Sequence, residues 1–272
     1  MNFNLVSGIV VGMKSDTTIE NGVYAASLTP MHDDFSCDIE ELNRHCKELL
    51  KRGCEGIVLF GTTGEGASFS VKEKLEVLGK LDIDPAKIIV ANGSANVADT
   101  VDLVQGAYAL GCNKALIGPP SYFKNISEAG VVAFYKEVLK KVDNPAIRIL
   151  LYHIPQLTGV PITINIIREL QSEQVVGIKE SEGNLAFTKE IIRTFPGFKV
   201  FVGKESQIVE AMALGASGTI CGLANLFPDE ILSQKPLPEI TKHKHFIASF
   251  KAVMQKRHGK AWQKLRPPLS YD

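Results

Sequence analysis

Short apolar runs rich in β-branched residues alternate with longer segments whose apolar positions recur at helical spacing, from Gly22 to about residue 225. The runs at 23–28, 56–60, 87–91, 114–117, 148–152, 175–179, 199–202 and 218–220 predict eight buried strands. Between them the pattern predicts helices over 39–51, from Ser70 through Gly79, over 97–110, from Ser127 to about Lys141, over 164–170, from near Leu185, and over 206–214. Ser70 and Glu73 have the spacing of a capping box. Eight such alternations without a linker predict one closed (β/α)8 TIM barrel over 22–225. A doubly wound sheet is the competitor, but no GxGxxG follows the first strand and no acidic ribose-binding residue sits at the matching distance. Residues 226–272 carry helical patterns near 229–232 and 245–256, interrupted by Pro236, Pro238, Pro267 and Pro268. They read as a short C-terminal helical appendage used in packing, and 1–21 as a non-catalytic N-terminal extension.

Composition narrows the function. With 272 residues, 45% hydrophobic and 22% charged, the chain can bury a sizeable core. Basic and acidic residues balance at 30 each, so no net field draws nucleic acid or an anionic membrane. The basic clusters Lys242-His243-Lys244-His245 and Lys256-Arg257-His258 read as solvated helix faces and turns, without the aromatic interleaving of a nucleic-acid groove. Five widely spaced cysteines form no CxxC pair and no zinc-type cluster, which points to reduced thiols, a cytoplasmic protein and no metal. The apolar run at 5–13 lacks a basic flank and is too short to span a bilayer.

The candidate chemistry centres on Val175-Val176-Gly177-Ile178-Lys179-Glu180-Ser181, a buried-strand pattern that ends on a lysine. A lysine at a strand end is more often a snorkelling side chain. Burial, however, disfavours the ammonium form of any lysine, and a neutral amine condenses with carbonyls to give a Schiff base. Active residues of such barrels come from the C-terminal ends of the strands. That rule gathers Thr62, Thr63, Tyr122, Tyr152, Lys179, Gly203 and Ile220. The set holds an amine, two phenols able to relay protons, and hydroxyls beside backbone amides suited to a carboxylate. Gly61-Thr62-Thr63-Gly64-Glu65-Gly66 is not a Walker A loop, and alone it would be an ordinary turn. His153 is a tempting base, but neighbours on a strand point to opposite sides, so it turns away if Tyr152 faces the site.

The sequence resembles the dihydrodipicolinate synthase / N-acetylneuraminate lyase family of pyruvate-dependent class I aldolases over roughly 22–230. Three motifs carry the resemblance: Gly61-Thr62-Thr63-Gly64-Glu65, Tyr152-His153-Ile154-Pro155 with Thr158-Gly159, and Gly177-Ile178-Lys179-Glu180-Ser181. The resemblance implies a homotetramer built as a dimer of dimers. It makes Lys179 the imine-forming lysine for pyruvate or another 2-oxo acid, and Tyr152 the tyrosine that moves protons. Thr62 would link that phenol to a second tyrosine and, with Thr63, hold the pyruvate carboxylate. Tyr122 falls where a tyrosine reaches into a neighbouring subunit's site, although one residue is inserted just after it. Gly203 and Ile220 match backbone positions lining the pocket, and Ser181 and Glu205 the side facing the rest of the substrate. The family chemistry requires no metal and no cofactor beyond the lysine imine.

Departures from the family pattern bear on the substrate. Dihydrodipicolinate synthases carry an arginine where this chain has Leu157, and leucine cannot replace that fork on a carboxylate. Val71 and Lys74 stand where lysine-inhibited members have histidines, and Glu205-Ser206 keeps half of the Asp-Glu pair of sialic acid lyases. The expected activity is a Schiff-base aldolase or lyase that joins a 2-oxo acid to an aldehyde or cleaves a 4-hydroxy-2-oxo acid. The alternatives are dihydrodipicolinate synthase itself, a 2-oxo-acid dehydratase using the same lysine, and a non-catalytic barrel scaffold.

Overall fold

The computed structural model describes residues 18–93 and 96–271. Most of the expected N-terminal extension therefore lies outside the described residues, as does Ser94 in the loop after the third strand. The strands are β1 (Gly22–Ala26), β2 (Gly56–Leu59), β3 (Ile88–Ala91), β4 (Lys114–Ile117), β5 (Arg148–His153), β6 (Val175–Glu180), β7 (Lys199–Val202) and β8 (Gly218–Cys221). Each pairs in parallel with the next, and β8 returns to β1, which closes the barrel. The helices are α1 (Ile39–Lys51), α2 (Val71–Leu78), α3 (Val97–Ala109), α4 (Glu128–Val142), α5 (Pro155–Thr158), α6 (Ile164–Leu170), α7 (Leu185–Thr194), α8 (Ile208–Ala213), α9 (Pro228–Leu232) and α10 (Phe246–His258). Local chemistry sets their starts: Asp38, Ser70, Asn96, Ser127, Thr163 and Asn184 each accept a first-turn amide, and Ser70 and Glu73 complete the capping box.

The strands are mostly apolar between their ends because both faces are covered. Tyr24, Ala26, Val58, Ile89, Leu116, Leu150, Phe201 and Ile220 fill the barrel, while Ile57, Leu59, Ile88 and Val90 pack outward with Leu42, Leu49 and Leu78 of the first helices. Ala115, Ile117, Ile149, Leu151 and Ile178 pack outward with Val101, Val138 and Ile167. Ile19 is buried with the interior group and Tyr24 donates to the Glu20 carbonyl at 3.0 Å, so the barrel core begins before Gly22.

Five strands, β1, β2, β5, β6 and β8, end one or two residues from the expected position, and β1 and β6 show why. β1 stops at Ala26 rather than residue 28, because the Leu28 amide donates to Asn225 Oδ1 at 3.0 Å and its side chain packs among C-terminal residues. β6 continues past Lys179 to Glu180, whose carbonyl accepts the Gly203 amide at 2.6 Å.

The C-terminal region does more than pack on the side. Leu28, Phe227, Ile247, Phe250, Met254, Trp262 and Leu265 form a fourth apolar cluster. Trp262 donates to Glu41 at 2.5 Å and lies edge-on to the buried His45. Lys242, Lys244 and Lys256 are solvated as expected. The clusters they belong to are not uniformly so: His243 donates to the Tyr271 carbonyl, Arg257 to that of Leu226, and His245 lines a cavity at the barrel mouth.

Candidate active site

Strand register places the central pair. Tyr152 of β5 and Lys179 of β6 are direct partners, and parallel partners project to the same face. A register shift between Ile149 and Leu150 creates this match: Ile149 pairs with Val175, but Leu150 pairs with Gly177. Without the extra residue in β6, Tyr152 would stand opposite Ile178 and the lysine would face outward. Lys179 Nζ lies 3.5 Å from Tyr152 Oη and 4.7 Å from the ring centroid, and Thr62 Oγ1 lies 3.2 Å from the same phenol. Lys179 and Tyr152 are 6% and 7% exposed, and among the described residues no carboxylate pairs with the amine.

A cavity of ≈ 490 Å³ opens over Lys179, and Thr62, Thr63, Tyr152, Ser181, Gly203, Glu205 and Ile220 all line it. A neighbouring cavity of ≈ 340 Å³ shares Thr62, Tyr152, Ile154, Leu157 and His245 with it. Gly203 is required by closeness: a Cβ there would overlap Ser181 Oγ and stand 3.1 Å from Lys179 Cε. Glu205 Oε1 accepts the Leu223 amide at 3.0 Å, which fixes its carboxylate at the rim. Tyr122 is the exception. It is 81% exposed, stacks edge-on against Phe123, and lines neither cavity of its own chain.

The Gly61–Gly66 loop is held from the other end of the chain. Glu65 sits in the left-handed region at φ 57° with its carboxylate fully buried, 2.5 Å from the buried Lys251 of α10. Its second oxygen accepts the Arg266 amide at 2.8 Å. Burial pulls the Lys251 ammonium below its ordinary value, and the Glu65 charge opposes that shift. Sequence inspection does not find this pair, because 186 positions separate residues that a helix spacing or motif would not connect. His245, Phe246 and Phe250 in the cavity wall were likewise missed.

Outside the barrel, behind the central pair, His153 and Glu180 are also register partners. His153 is turned away from the cavity, as strand alternation requires. With Glu182 these side chains form the one metal-type cluster among the described residues. His153 Nδ1 accepts the Ile162 amide at 3.0 Å, so the proton resides on Nε2, 3.3 Å from Glu182. A protonated Nε2 cannot ligate, so the donor set does not fit a cation. Burial holds His153 below and Glu180 above their ordinary values. All five thiols are pushed up to about 12, chiefly by burial, which leaves none as a nucleophile near neutral pH.

Fold and site together define a barrel lyase of the lysine-imine aldolase type. The model of the dihydrodipicolinate synthetase family matches residues 20–234, and the chain belongs to that family. It is 36% identical over 213 residues to an uncharacterized DapA-like lyase of Chloroflexus aurantiacus, covering 76% of this chain and 71% of the relative. It is 32% identical over 211 residues to 4-hydroxy-tetrahydrodipicolinate synthase of Methanothrix thermoacetophila, covering 76% and 70%. Among solved structures, dihydrodipicolinate synthase from Agrobacterium tumefaciens superposes with a TM-score of 0.84 at 27% identity, over 93% of this chain and 94% of that one. No helix among the described residues is long and apolar enough to cross a membrane.

Proposed function

We propose that Lys179 is the imine-forming nucleophile of an aldolase that joins pyruvate, or a related 2-oxo acid, to an aldehyde or cleaves the product. The observation that carries this is the Lys179–Tyr152–Thr62 chain at 3.5 and 3.2 Å on the floor of the larger cavity. The neutral amine adds to the ketone carbon, and Tyr152 passes protons as the carbinolamine loses water. The protonated imine then withdraws electrons, so a methyl proton leaves and an enamine forms. The enamine carbon attacks the aldehyde carbon, the aldehyde oxygen takes a proton, and water releases the product from Lys179. In this reading Thr62 and Thr63 bind the oxo-acid carboxylate and Ser181, Gly203, Glu205 and Ile220 border the remainder; that all six line the cavity over Lys179 supports it. No metal or organic cofactor enters these steps.

Leu157 stands 54% exposed at the mouth, where the synthases carry an arginine, which favours an acceptor other than that of dihydrodipicolinate synthesis. We further propose a homotetramer in which Tyr122 enters the site of an adjacent copy, since Tyr122 and Phe123 expose 81% and 69% of their surface. The five unpaired cysteines suit a cytoplasmic setting. The test is reductive trapping with pyruvate and borohydride, in which a covalent adduct on Lys179 is expected and its absence with every 2-oxo acid would defeat the assignment.

A further inference from the structure

Behind the central pair, on the outer face of the barrel, donors and acceptors match only in one protonation state. Glu180 is the last residue of β6 and is fully buried. Its Oε1 accepts the Gly183 amide at 2.9 Å and the Asn184 amide at 3.5 Å. Its Oε2 is buried with no hydrogen-bond partner among the described residues. An ionised carboxylate only accepts, so that oxygen would be a buried charge without a donor. His153 does not supply one, because its Nε2–H faces Glu182 Oε2 at 3.3 Å. One polar atom from each of His153, Glu180 and Glu182 lies within 4.8 Å of the other two. The other charged side chains nearby are Glu190 of α7, in the cavity outside the cluster, and Lys204, whose stem packs on Gly183. The segment leading into α6 contributes no charged side chain to that cavity.

We infer that Glu180 is a neutral carboxylic acid, its proton on Oε2 and shared with the Glu182 carboxylate, and that in this form it positions the Lys179–Tyr152 pair. The positioning role rests on the imine chemistry proposed for Lys179. The acid satisfies both oxygens: Oε1 accepts amides as a carbonyl, and Oε2–H donates to Glu182, which also receives His153. Burial, which holds Glu180 above its ordinary value, acts in the same direction. The cluster ties together the outer faces of two strand ends whose inner faces carry the site. His153 and Glu180 are register partners, as are Tyr152 and Lys179. The His153 carbonyl accepts the Ser181 amide at 2.8 Å, which continues the pairing one residue past β6. Ionising Glu180 sets a second carboxylate beside Glu182 with no added donor, and the end of β6 relaxes by moving. Lys179 moves with it, away from its 3.5 Å contact with Tyr152.

Infrared spectroscopy of the unaltered protein in neutral D2O reads the proton directly. A carboxylic-acid carbonyl band should be present there and missing from Glu180→Gln. No such band, or a band that survives in the variant, would overturn the assignment. Three substitutions then test positioning through the rate of imine formation with pyruvate. Glu180→Asp keeps an ionisable group but withdraws it by one methylene, and Glu180→Met keeps the length without polar atoms. Each should lower the maximal rate about ten-fold or more, the scale of a misplaced reacting group, while half-saturation by pyruvate stays put. Glu180→Gln, which keeps the length, a carbonyl and a donor, should recover most of that rate. Asp outperforming Gln, or normal rates in all three, would overturn the role of the neutral acid. Failure to trap any 2-oxo acid on the unaltered protein would defeat the imine and the positioning role with it, and the infrared band would still decide the proton.

Discussion

Tyr152 is the residue on which most of the geometry converges, because its phenol touches both the amine and the Thr62 hydroxyl. A proton relay needs the oxygen, whereas packing needs only the ring. The ring is buried among Leu150, Ile154 and Phe201, so Tyr152→Phe should fold normally. It should slow imine formation with pyruvate by about 100-fold, the scale of a lost general acid–base group. Stopped-flow measurement of imine formation checks this, and a near-normal rate would remove Tyr152 from the relay. Gly203 matters for a different reason: it leaves the space that Ser181 and the Lys179 stem occupy.

At the scale of elements, the eight strands and most helices were legible because both periodicities are strong and the caps are explicit. α1 and α6 match their predicted spans, as do β4 and β7. What escaped the sequence was long-range: the β6 register shift, the Leu28–Asn225 hydrogen bond that ends β1, and the Glu65–Lys251 pair. None has a local signature, since each depends on what another segment places nearby. The gathering of Lys179, Tyr152, Thr62 and Thr63 around one cavity was legible because the C-terminal ends of the strands open on one face; the place of His245 in its wall was not, because its segment read as a solvated turn. The Glu65–Lys251 pair joins the Gly61–Gly66 loop to α10 and yields an element-scale prediction. Glu65→Gln leaves a buried ammonium without its counter-charge and should cost about 3–5 kcal/mol. Adding Lys251→Met should restore much of that loss in denaturant unfolding. Independent, additive losses would show that the two side chains do not act as a pair.

At the scale of the whole molecule, the C-terminal region and the barrel share one structure around the mouth. Leu28 enters the C-terminal cluster, Trp262 hydrogen-bonds α1, and Arg266 spans Glu73, the Ser68 carbonyl and the Phe69 ring. The Arg266 guanidinium holds the Glu73 carboxyl down to about 2. This contact stabilises the fold above the ordinary carboxylate range and is lost as pH falls through that value. Trp262 is the one tryptophan of the chain and is fully buried where the C-terminal region meets α1, so its fluorescence reports that seam. Its denaturant transition should coincide with that of far-UV circular dichroism, which is dominated by the barrel. An earlier fluorescence transition would mean that the mouth cover detaches while the barrel stays folded.

The central claim concerns one covalent bond, and it is tested most directly by borohydride reduction in the presence of pyruvate followed by peptide mass mapping. A stable pyruvyl adduct confined to the peptide that contains Lys179, and absent from Lys179→Ala, is the predicted result. An adduct on another lysine, or none with pyruvate and larger 2-oxo acids while the protein is folded, would contradict it.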